Sequence, residues 1–422
     1  MMKEDSVGRK HRILFLISRE NILEPGVLKS QVFDLLGRVL KEDKNTEILV
    51  LNLPSLHSFL KNLSKRRAFK SYTKKMGIRI VSVPILPIGR SAMPVWAVPF
   101  FLAQAAPVVL FFALKYRINI IHARSYLSSL AVYFLKKMGL KAKVVFDMRA
   151  PYLLEGVVYR RWVDPDPNYR FWEKAERKMF SSADAVVSQA TGMVDYVKRI
   201  SPSARVFYIP NCVDTDKYLI GHEEREAGRK RLGIGDRFAL VYSGSFGGLH
   251  PPSFIARLYF EFRKHLPDPY FLVVTHSNPV SISGKLAGLG ISQSEFKVLH
   301  HPPNLEKVIS LGDVGVGAMG GEIPTTPLVL SVKVAEYLAA GLPVISSEEM
   351  RSVAELVEKE KCGVAIKLFD QKDIRVKMQK LVREHEEMRK NALRVARKYF
   401  SVKVCAKKYL KIYDEIVSKS KS

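Results

Sequence analysis

The sequence predicts two α/β domains in tandem, each built on a parallel sheet covered by helices. Short apolar runs rich in Val and Ile alternate with helical segments along the chain, a pattern typical of strands buried in a parallel sheet. The alternation restarts after Asn211, where a charged, helix-forming segment spans residues 223–231. A length of 422 residues gives room for two domains of ordinary size.

We predict seven strands before Asn211 and six after it. The first set spans residues 12–18, 47–51, 78–83, 119–122, 143–147, 184–188 and 206–209. The second set spans residues 238–242, 271–275, 296–299, 313–318, 343–346 and 363–366. We therefore expect an N-terminal domain over residues 11–210, a C-terminal domain over residues 211–395 and a closing helical segment over residues 396–422.

Cysteine usage and the N-terminus indicate a reducing compartment. Cys212, Cys362 and Cys405 are far apart in the sequence, so neither a disulfide framework nor a zinc site is predicted. Residues 1–12 are polar and charged, and the apolar run 13–17 is too short for a secretion signal. We expect a cytoplasmic protein.

The net charge of +27 is concentrated in the first half of the chain. Between Glu47 and Asp147 there are sixteen Lys and Arg and no acidic residue. Basic residues beside apolar ones suit an anionic membrane surface, although a solvated basic face explains the same charges. Nucleic-acid binding is not expected, because no nucleic-acid module pattern is present. The densest group is Lys61, Lys65, Arg66, Arg67, Lys70, Lys74 and Lys75.

One uncharged apolar stretch, residues 92–114, is long enough to span a membrane. Pro94, Pro99 and Pro107 interrupt it. These prolines favour a buried helix or a helix at the membrane interface, and a true span remains the alternative.

The segment 327–345 has the strongest signature of a binding site. Ser331 is a candidate N-cap and Gly341 a candidate C′ residue, which predicts a helix over residues 332–340. The amides of its first turn suit a phosphate, and Lys333 would neutralise a diphosphate there. Glu336 shares the face of Lys333 and would accept ribose hydroxyls. An ordinary capped helix with a surface Lys–Glu pair explains the pattern equally well.

Two glycine-containing turns are further candidates. Gly244 follows a predicted strand, and Gly26 follows the first strand of the chain. Glycine lets a backbone approach a ligand closely, but plain turns explain both positions too. The spacings of the dinucleotide fingerprint and of the P-loop are absent.

No metal site is predicted. Asp164 and Asp166 form a DxD pattern, but it precedes a helical segment, so a turn or a helix cap is the better interpretation. His300 and His301 are adjacent and would point to opposite faces of a strand.

Three segments resemble family 4 of the glycosyltransferases: residues 209–214, 241–245 and 333–345. The resemblance implies the GT-B fold, in which two Rossmann-like domains face each other across a cleft and a C-terminal helix crosses back to the N-terminal domain. It also implies a retaining, hexosyltransferase-like transfer from a nucleotide diphosphate sugar as co-substrate, with no cofactor and no metal. Residues 146–150 and 182–187 are similar to a subgroup that acts in polysaccharide or glycolipid assembly.

The resemblance also implies roles for residues that bind the donor. Glu336 would hold the nucleotide ribose, while the turn at Gly244 and Ser245 and the helix start at Ser331 and Lys333 would cradle the diphosphate. Gly26 would close on it from the N-terminal domain.

The chain also departs from the family pattern. Leu328 stands where the first Glu of the paired-Glu motif is expected, and residues 147–149 replace the usual His. Asp147 and Arg149 are therefore candidate catalytic residues. The Arg and Lys that usually follow the Gly-Ser turn in the family are also absent, and Arg149 and Lys333 would supply this positive charge instead.

Two other functions remain open from the sequence. The chain could be a non-catalytic relative that binds a nucleotide sugar, or a nucleotide-sugar epimerase with the same fold. For the transferase, we expect a glycan or lipid-linked acceptor and a peripheral position at an anionic membrane surface.

Overall fold

The computed structural model describes residues 11–23, 28–86, 93–158, 162, 166–246, 252–266, 268–318, 325–368 and 370–418. The contacts divide the chain into two compact units. Unit 1 comprises Met1–Pro210 and Cys405–Ser422, and unit 2 comprises Asn211–Val404. The predicted closing segment 396–422 is therefore shared between the units, with its first residues counted in unit 2.

Unit 1 contains a seven-stranded parallel sheet in the order β3-β2-β1-β4-β5-β6-β7. All seven strands predicted for this half are present. Residues 13–17 of the central β1 are almost completely buried, as their apolar side chains require. The strands are β1 His11–Ser18, β2 Thr46–Leu53, β3 Arg79–Ser82, β4 Ile120–Arg124, β5 Lys143–Met148, β6 Ala185–Ser188 and β7 Val206–Tyr208.

Helices stand between consecutive strands along the chain, as the connections of a parallel sheet require. The predicted apolar stretch forms a continuous helical segment, Val95–Lys115, which is long and apolar enough to cross a membrane by length and composition. Of its apolar 18-residue window, about two fifths (39%) is buried inside the protein. The α-helices of this half are α1 Leu35–Glu42, α2 Leu56–Lys61, α3 Leu63–Lys75, α4 Val98–Lys115, α5 Ser125–Lys137, α6 Tyr152–Val158, α7 Pro167–Ser182 and α8 Thr191–Ile200.

Unit 2 contains a six-stranded parallel sheet in the order β10-β9-β8-β11-β12-β13. The six strands predicted for this half are all present, and their apolar residues form one buried core with the flanking helices. The two parallel α/β sheets confirm the predicted fold class. The strands are β8 Ala239–Ser243, β9 Tyr270–Thr275, β10 Phe296–His300, β11 Val314–Val316, β12 Val344–Ser347 and β13 Gly363–Ile366.

Nine α-helices follow in the described part of the second half. The last one, α17, starts in unit 2 and continues into unit 1 from Cys405. The helices are α9 His222–Arg231, α10 Pro252–Arg263, α11 Pro279–Gly288, α12 Leu305–Ile309, α13 Val332–Ala339, α14 Arg351–Lys359, α15 Gln371–Arg383, α16 His385–Val395 and α17 Val402–Ser418.

Candidate functional site

Each sheet has one point at which the strand order reverses. In unit 1 it lies between β1 and β4, and in unit 2 between β8 and β11. In open parallel sheets, ligands bind outside the carboxyl ends of the strands at such a point, because the connections leave in opposite directions and open a crevice. The candidate residues that the structure describes lie near the carboxyl ends of the strands in both units.

In unit 2, the turn after β8 meets the start of α13. Gly244 has a φ of +152°, and a Cβ atom placed there would lie 3.1 Å from Nζ of Lys333. The same atom would lie 3.3 Å from the hydroxyl of Tyr242. That hydroxyl donates to the carbonyl of Ser245 over 2.6 Å. The fold thus brings together Gly244, Ser245 and Lys333, which are almost ninety positions apart in the sequence.

Helix α13 begins and ends close to the predicted positions. Ser331 is its N-cap residue with an extended backbone, but its side chain makes no capping hydrogen bond. Gly341 follows the helix with a φ of +73°, the left-handed conformation that a C′ glycine supplies. Because the amides of a first helical turn lack intrahelical acceptors, the start of α13 presents donors beside Lys333.

Burial brings the pKa values of both charged residues of α13 close to neutral pH. Burial lowers the pKa of Lys333 to about 8, although the nearby Glu336 carboxylate opposes this shift. Burial and the Glu306 carboxylate raise the pKa of Glu336 to about 7, against Lys333 and a hydrogen bond from Tyr218. The ammonium of Lys333 also lies 4.7 Å from the centre of the Tyr242 ring.

In unit 1, Asp147 lies at the end of β5 in a buried group of charges. Arg149 donates to Oδ2 of Asp147 from Nη2 over 2.6 Å and from Nε over 2.9 Å. Nε2 of His122 lies 3.3 Å from the same oxygen. Burial alone would raise the pKa of Asp147, but Arg149, His122 and Arg124 hold it well below its usual value.

Arg124, at the end of β4, is a buried charged residue that was not predicted from the sequence. It pairs in register with Asp147 of β5, and its guanidinium binds Glu20 over 3.0 Å and Gln31 over 2.9 Å. The second ring nitrogen of His122, Nδ1, lies 2.8 Å from the hydroxyl of Tyr413 in α17. The signal that could have found Arg124 is its place as a charged residue at the end of a completely buried strand.

Several predicted positions lie outside the described residues, among them Gly26, Asp164 and the glycines after Phe246. Asp166 is described, and its carboxylate caps α7 by accepting from the amide of Asn168. In the described ranges, no group of three or more His, Cys, Asp and Glu residues is arranged to hold a metal ion. Leu328 lies in a short 3-10 turn before α13.

Comparison with known proteins identifies the architecture. Residues 65–212 match the family model described as a glycosyl transferase 4-like domain. No curated protein sequence matches the chain. Three solved structures with a similar fold are a glycosyltransferase from Rickettsia africae ESF-5, Anabaena Alr3699/HepE in complex with UDP and glucose, and sucrose-phosphate synthase from Thermosynechococcus elongatus.

The similarity to these structures covers almost the complete chains. The Rickettsia protein is 14% identical, with 96% of this chain and 98% of that chain covered and a TM-score of 0.70. The Anabaena protein is 15% identical over 96% and 100%, with a TM-score of 0.66. The synthase is 15% identical over 97% and 100%, with a TM-score of 0.69. At these identities the similarity shows the fold, which is that of the GT-B glycosyltransferases.

Proposed function

We propose that this chain, a GT-B glycosyltransferase by fold with a glycosyl transferase 4-like domain, moves a sugar from a nucleotide diphosphate sugar to a glycan or lipid-linked acceptor. The reaction is proposed to be retaining and metal-independent. The proposal rests on one observation: Lys333 lies close to the Gly244 turn at the switch point of the unit 2 sheet. A cation, a glycine turn and a helix start together suit a diphosphate.

The donor is assigned to unit 2. The diphosphate lies against Gly244 and the first turn of α13, where no Cβ blocks its approach and Lys333 faces it. Glu336, one turn further along α13, accepts the ribose hydroxyls. The Anabaena relative was solved with UDP and glucose, which supports a nucleotide sugar as the donor class.

The proposed chemistry depends on stabilising the leaving group. When the bond between sugar and phosphate breaks, negative charge develops on the diphosphate, and fixed donors and cations lower that barrier. Lys333 and the α13 amides supply this charge in unit 2. Arg149 is the proposed catalytic cation of unit 1, and Asp147 positions it, because a carboxylate this strongly ionised is a poor proton donor.

The proposal of a membrane-borne acceptor rests on the apolar residues exposed on α4 and on the turn before it. Residues at helical spacing on that side are all apolar and exposed, where a soluble helix usually carries polar residues. Helices α2 and α3 add the exposed basic residues Lys61, Lys65, Arg67 and Lys70, which suit anionic lipids. The exposed apolar row is Trp96, Phe100, Ala103, Pro107, Phe111 and Leu114.

A nucleotide screen tests the donor proposal. The purified chain is incubated with different nucleoside diphosphates and their sugars, and its melting temperature is recorded, because a ligand of the native state raises it. The stabilising donor is then tested for sugar transfer in the presence of a chelator. We expect stabilisation by at least one nucleotide diphosphate sugar and transfer that survives chelation.

The same assay separates the competing functions. Activity that is lost with a chelator and restored by magnesium or manganese would contradict the metal-independent mechanism. An isomeric nucleotide sugar formed without an acceptor would indicate an epimerase. Donor binding without transfer to any acceptor would indicate a non-catalytic relative.

Fluorescence of Trp96 tests the membrane proposal. Trp96 is 71% exposed, whereas Trp162 and Trp172, the other tryptophans, are 3% and 1% exposed. Anionic vesicles should therefore shift the emission of Trp96 to the blue, and the Trp96→Phe variant should lose the shift. Replacing Lys65, Arg66 and Arg67 with Gln should weaken binding at low salt. If anionic vesicles do not change the spectrum, the membrane proposal is wrong and the basic residues only face solvent.

A further inference from the structure

A cavity of 680 Å³ opens at the amino ends of the unit 1 strands, the edge opposite to Asp147 and Arg149. Its size falls within the range of small-molecule sites. Helices α4, α5 and α17 contribute most of its apolar wall, with Leu110, Leu114, Leu135, Met138 and Val417.

Four basic residues line the same cavity: Arg12, Arg117, Lys141 and Lys143. None of the described residues that line it is acidic. Lys143 has a partner, since its Nζ lies 3.4 Å from Asp184. Arg117 and Lys141 are exposed, and Nε of Arg12 is buried with no hydrogen-bond partner among the described residues. The cavity therefore combines an apolar wall with positive charge that lacks a matching anion along the wall.

The cavity is continuous with the apolar row on α4. Leu114 is the last residue of that row, is 67% exposed and lines the cavity. Met138, the C-cap residue of α5, also lines the cavity and is 66% exposed. Leu114 thus belongs both to the apolar row and to the cavity wall, so a molecule that lies along the exposed side of α4 would reach the cavity at an apolar residue.

We propose that this cavity binds one acyl chain of an anionic membrane lipid, whose phosphate is held by Arg117 and Lys141. The apolar wall takes the chain, and the basic rim takes the headgroup. The lipid source rests on the proposed membrane docking of α4. A free phosphate would leave the apolar wall unused, and an uncharged chain would leave the basic rim unused.

This site is separate from the proposed chemistry. Arg12 stands near the start of β1, and the switch point lies beyond its other end at Ser18. At about 3.3 Å per residue the two edges are roughly 20 Å apart. The bound lipid would thus hold unit 1 on the bilayer while a different lipid or glycan serves as the acceptor.

Calorimetric titration of the full chain with dodecyl phosphate, below its micelle concentration and without sugar donor, tests the proposal. Dodecyl maltoside and inorganic phosphate are titrated in parallel. We expect saturable binding of dodecyl phosphate only. The double variant Arg117→Gln/Lys141→Gln should bind it roughly tenfold or more weakly, because two cations beside the phosphate are lost.

The matched control is Arg170→Gln/Lys174→Gln, which removes the same charges from exposed positions of α7 that do not line the cavity. Its affinity should equal that of the natural chain. The proposal is overturned if dodecyl phosphate shows no saturable binding, if either comparison ligand binds as tightly, or if both double variants lose affinity equally. Because no sugar donor is present, these results are independent of donor binding in unit 2.

Discussion

At the carboxyl edge of the unit 1 sheet, buried charged residues are paired with one another. At the same edge of the unit 2 sheet, burial instead brings the pKa values of the charged residues close to neutral pH. Asp147 is bound by Arg149 and approached by His122, and its pKa stays well below the usual value. In unit 2, burial brings the pKa of Lys333 to about 8 and that of Glu336 to about 7.

The difference separates two ways of preparing a polar site. Unit 1 fixes its charges before any ligand arrives, so its geometry is preorganised. In unit 2, the protonation of Lys333 responds to its surroundings, since an arriving diphosphate favours the charged ammonium and raises its pKa. We therefore expect changes to these charged residues to affect mainly the fold in unit 1 and mainly ligand binding in unit 2.

The largest effect is expected from Asp147→Asn. The change removes the carboxylate that binds Arg149 over 2.6 Å in a buried group of charges, and breaking a buried ion pair in this way costs about 3–5 kcal/mol. All three tryptophans of the chain, Trp96, Trp162 and Trp172, lie in unit 1. Urea unfolding followed by tryptophan fluorescence therefore measures this unit.

The control for this prediction is Glu42→Gln, which breaks the ion pair with Arg38 near the surface of α1. Its cost should not exceed about 1 kcal/mol. If Asp147→Asn unfolds at the same urea concentration as Glu42→Gln, the buried charges of unit 1 are not what holds its edge together.

The two sheets could be predicted from the sequence because their strands are buried on both faces. Residues 13–17 and 344–347 are nearly continuous apolar or small runs, and such runs leave a clear signal between helices. The turn chemistry of α13 was equally local, since Gly341 must adopt a positive φ. These features depend on neighbouring residues only.

The contacts of the candidate sites could not be predicted in the same way. The proximity of Gly244 and Lys333, and the pairing of Arg124 with Asp147, depend on strand order and register. The hydroxyl that reaches His122 comes from Tyr413, almost three hundred positions later. No local pattern contains this information, so the resemblance to a family supplied candidate residues but not their partners.

Lys333→Met should show the second-largest effect, and this effect should be on the affinity of unit 2 for the diphosphate. A charged hydrogen bond to the diphosphate is lost, which costs about 1.5–3 kcal/mol of binding free energy. Stability at pH 7 should stay the same or rise, because burial disfavours the ammonium that Met replaces. Calorimetric titration with the nucleoside diphosphate and thermal unfolding measure the two quantities.

The matched control is Lys285→Met, at an exposed position of α11 in the same unit. It should leave the affinity unchanged. A Lys333→Met protein that binds the diphosphate normally would remove Lys333 from the proposed site, and one that loses stability would make the residue structural.

Gly244→Ala should have a somewhat smaller effect of about 1–3 kcal/mol on the stability of unit 2. An L residue rarely adopts a φ of +152°, and the new methyl group would crowd Lys333 and Tyr242. Circular dichroism should show a lower unfolding temperature, while the fluorescence transition of unit 1 stays in place. Gly284→Ala in α11 is the control, because a Cβ there meets nothing within 4 Å. Equal behaviour of both variants would contradict the tight turn.

The smallest effect concerns the pH dependence of diphosphate affinity. Above pH 8, Lys333 loses its proton and its attraction for the anion, so affinity should fall by at most about tenfold per pH unit. Below pH 7, Glu336 gains a proton and becomes a weaker acceptor for the ribose, so affinity should also fall. Titrations from pH 6 to 10 should thus show a maximum near pH 7–8. The alkaline fall should begin near the pKa of Lys333 in the free protein, about 8, and level off at the higher pKa that Lys333 has beside the bound anion. Lys333→Met should lose the alkaline limb, and Glu336→Gln should lose the acidic limb except for the part that belongs to the phosphate itself. An alkaline limb that persists in Lys333→Met would assign the titration to another group and remove the contrast between the two edges.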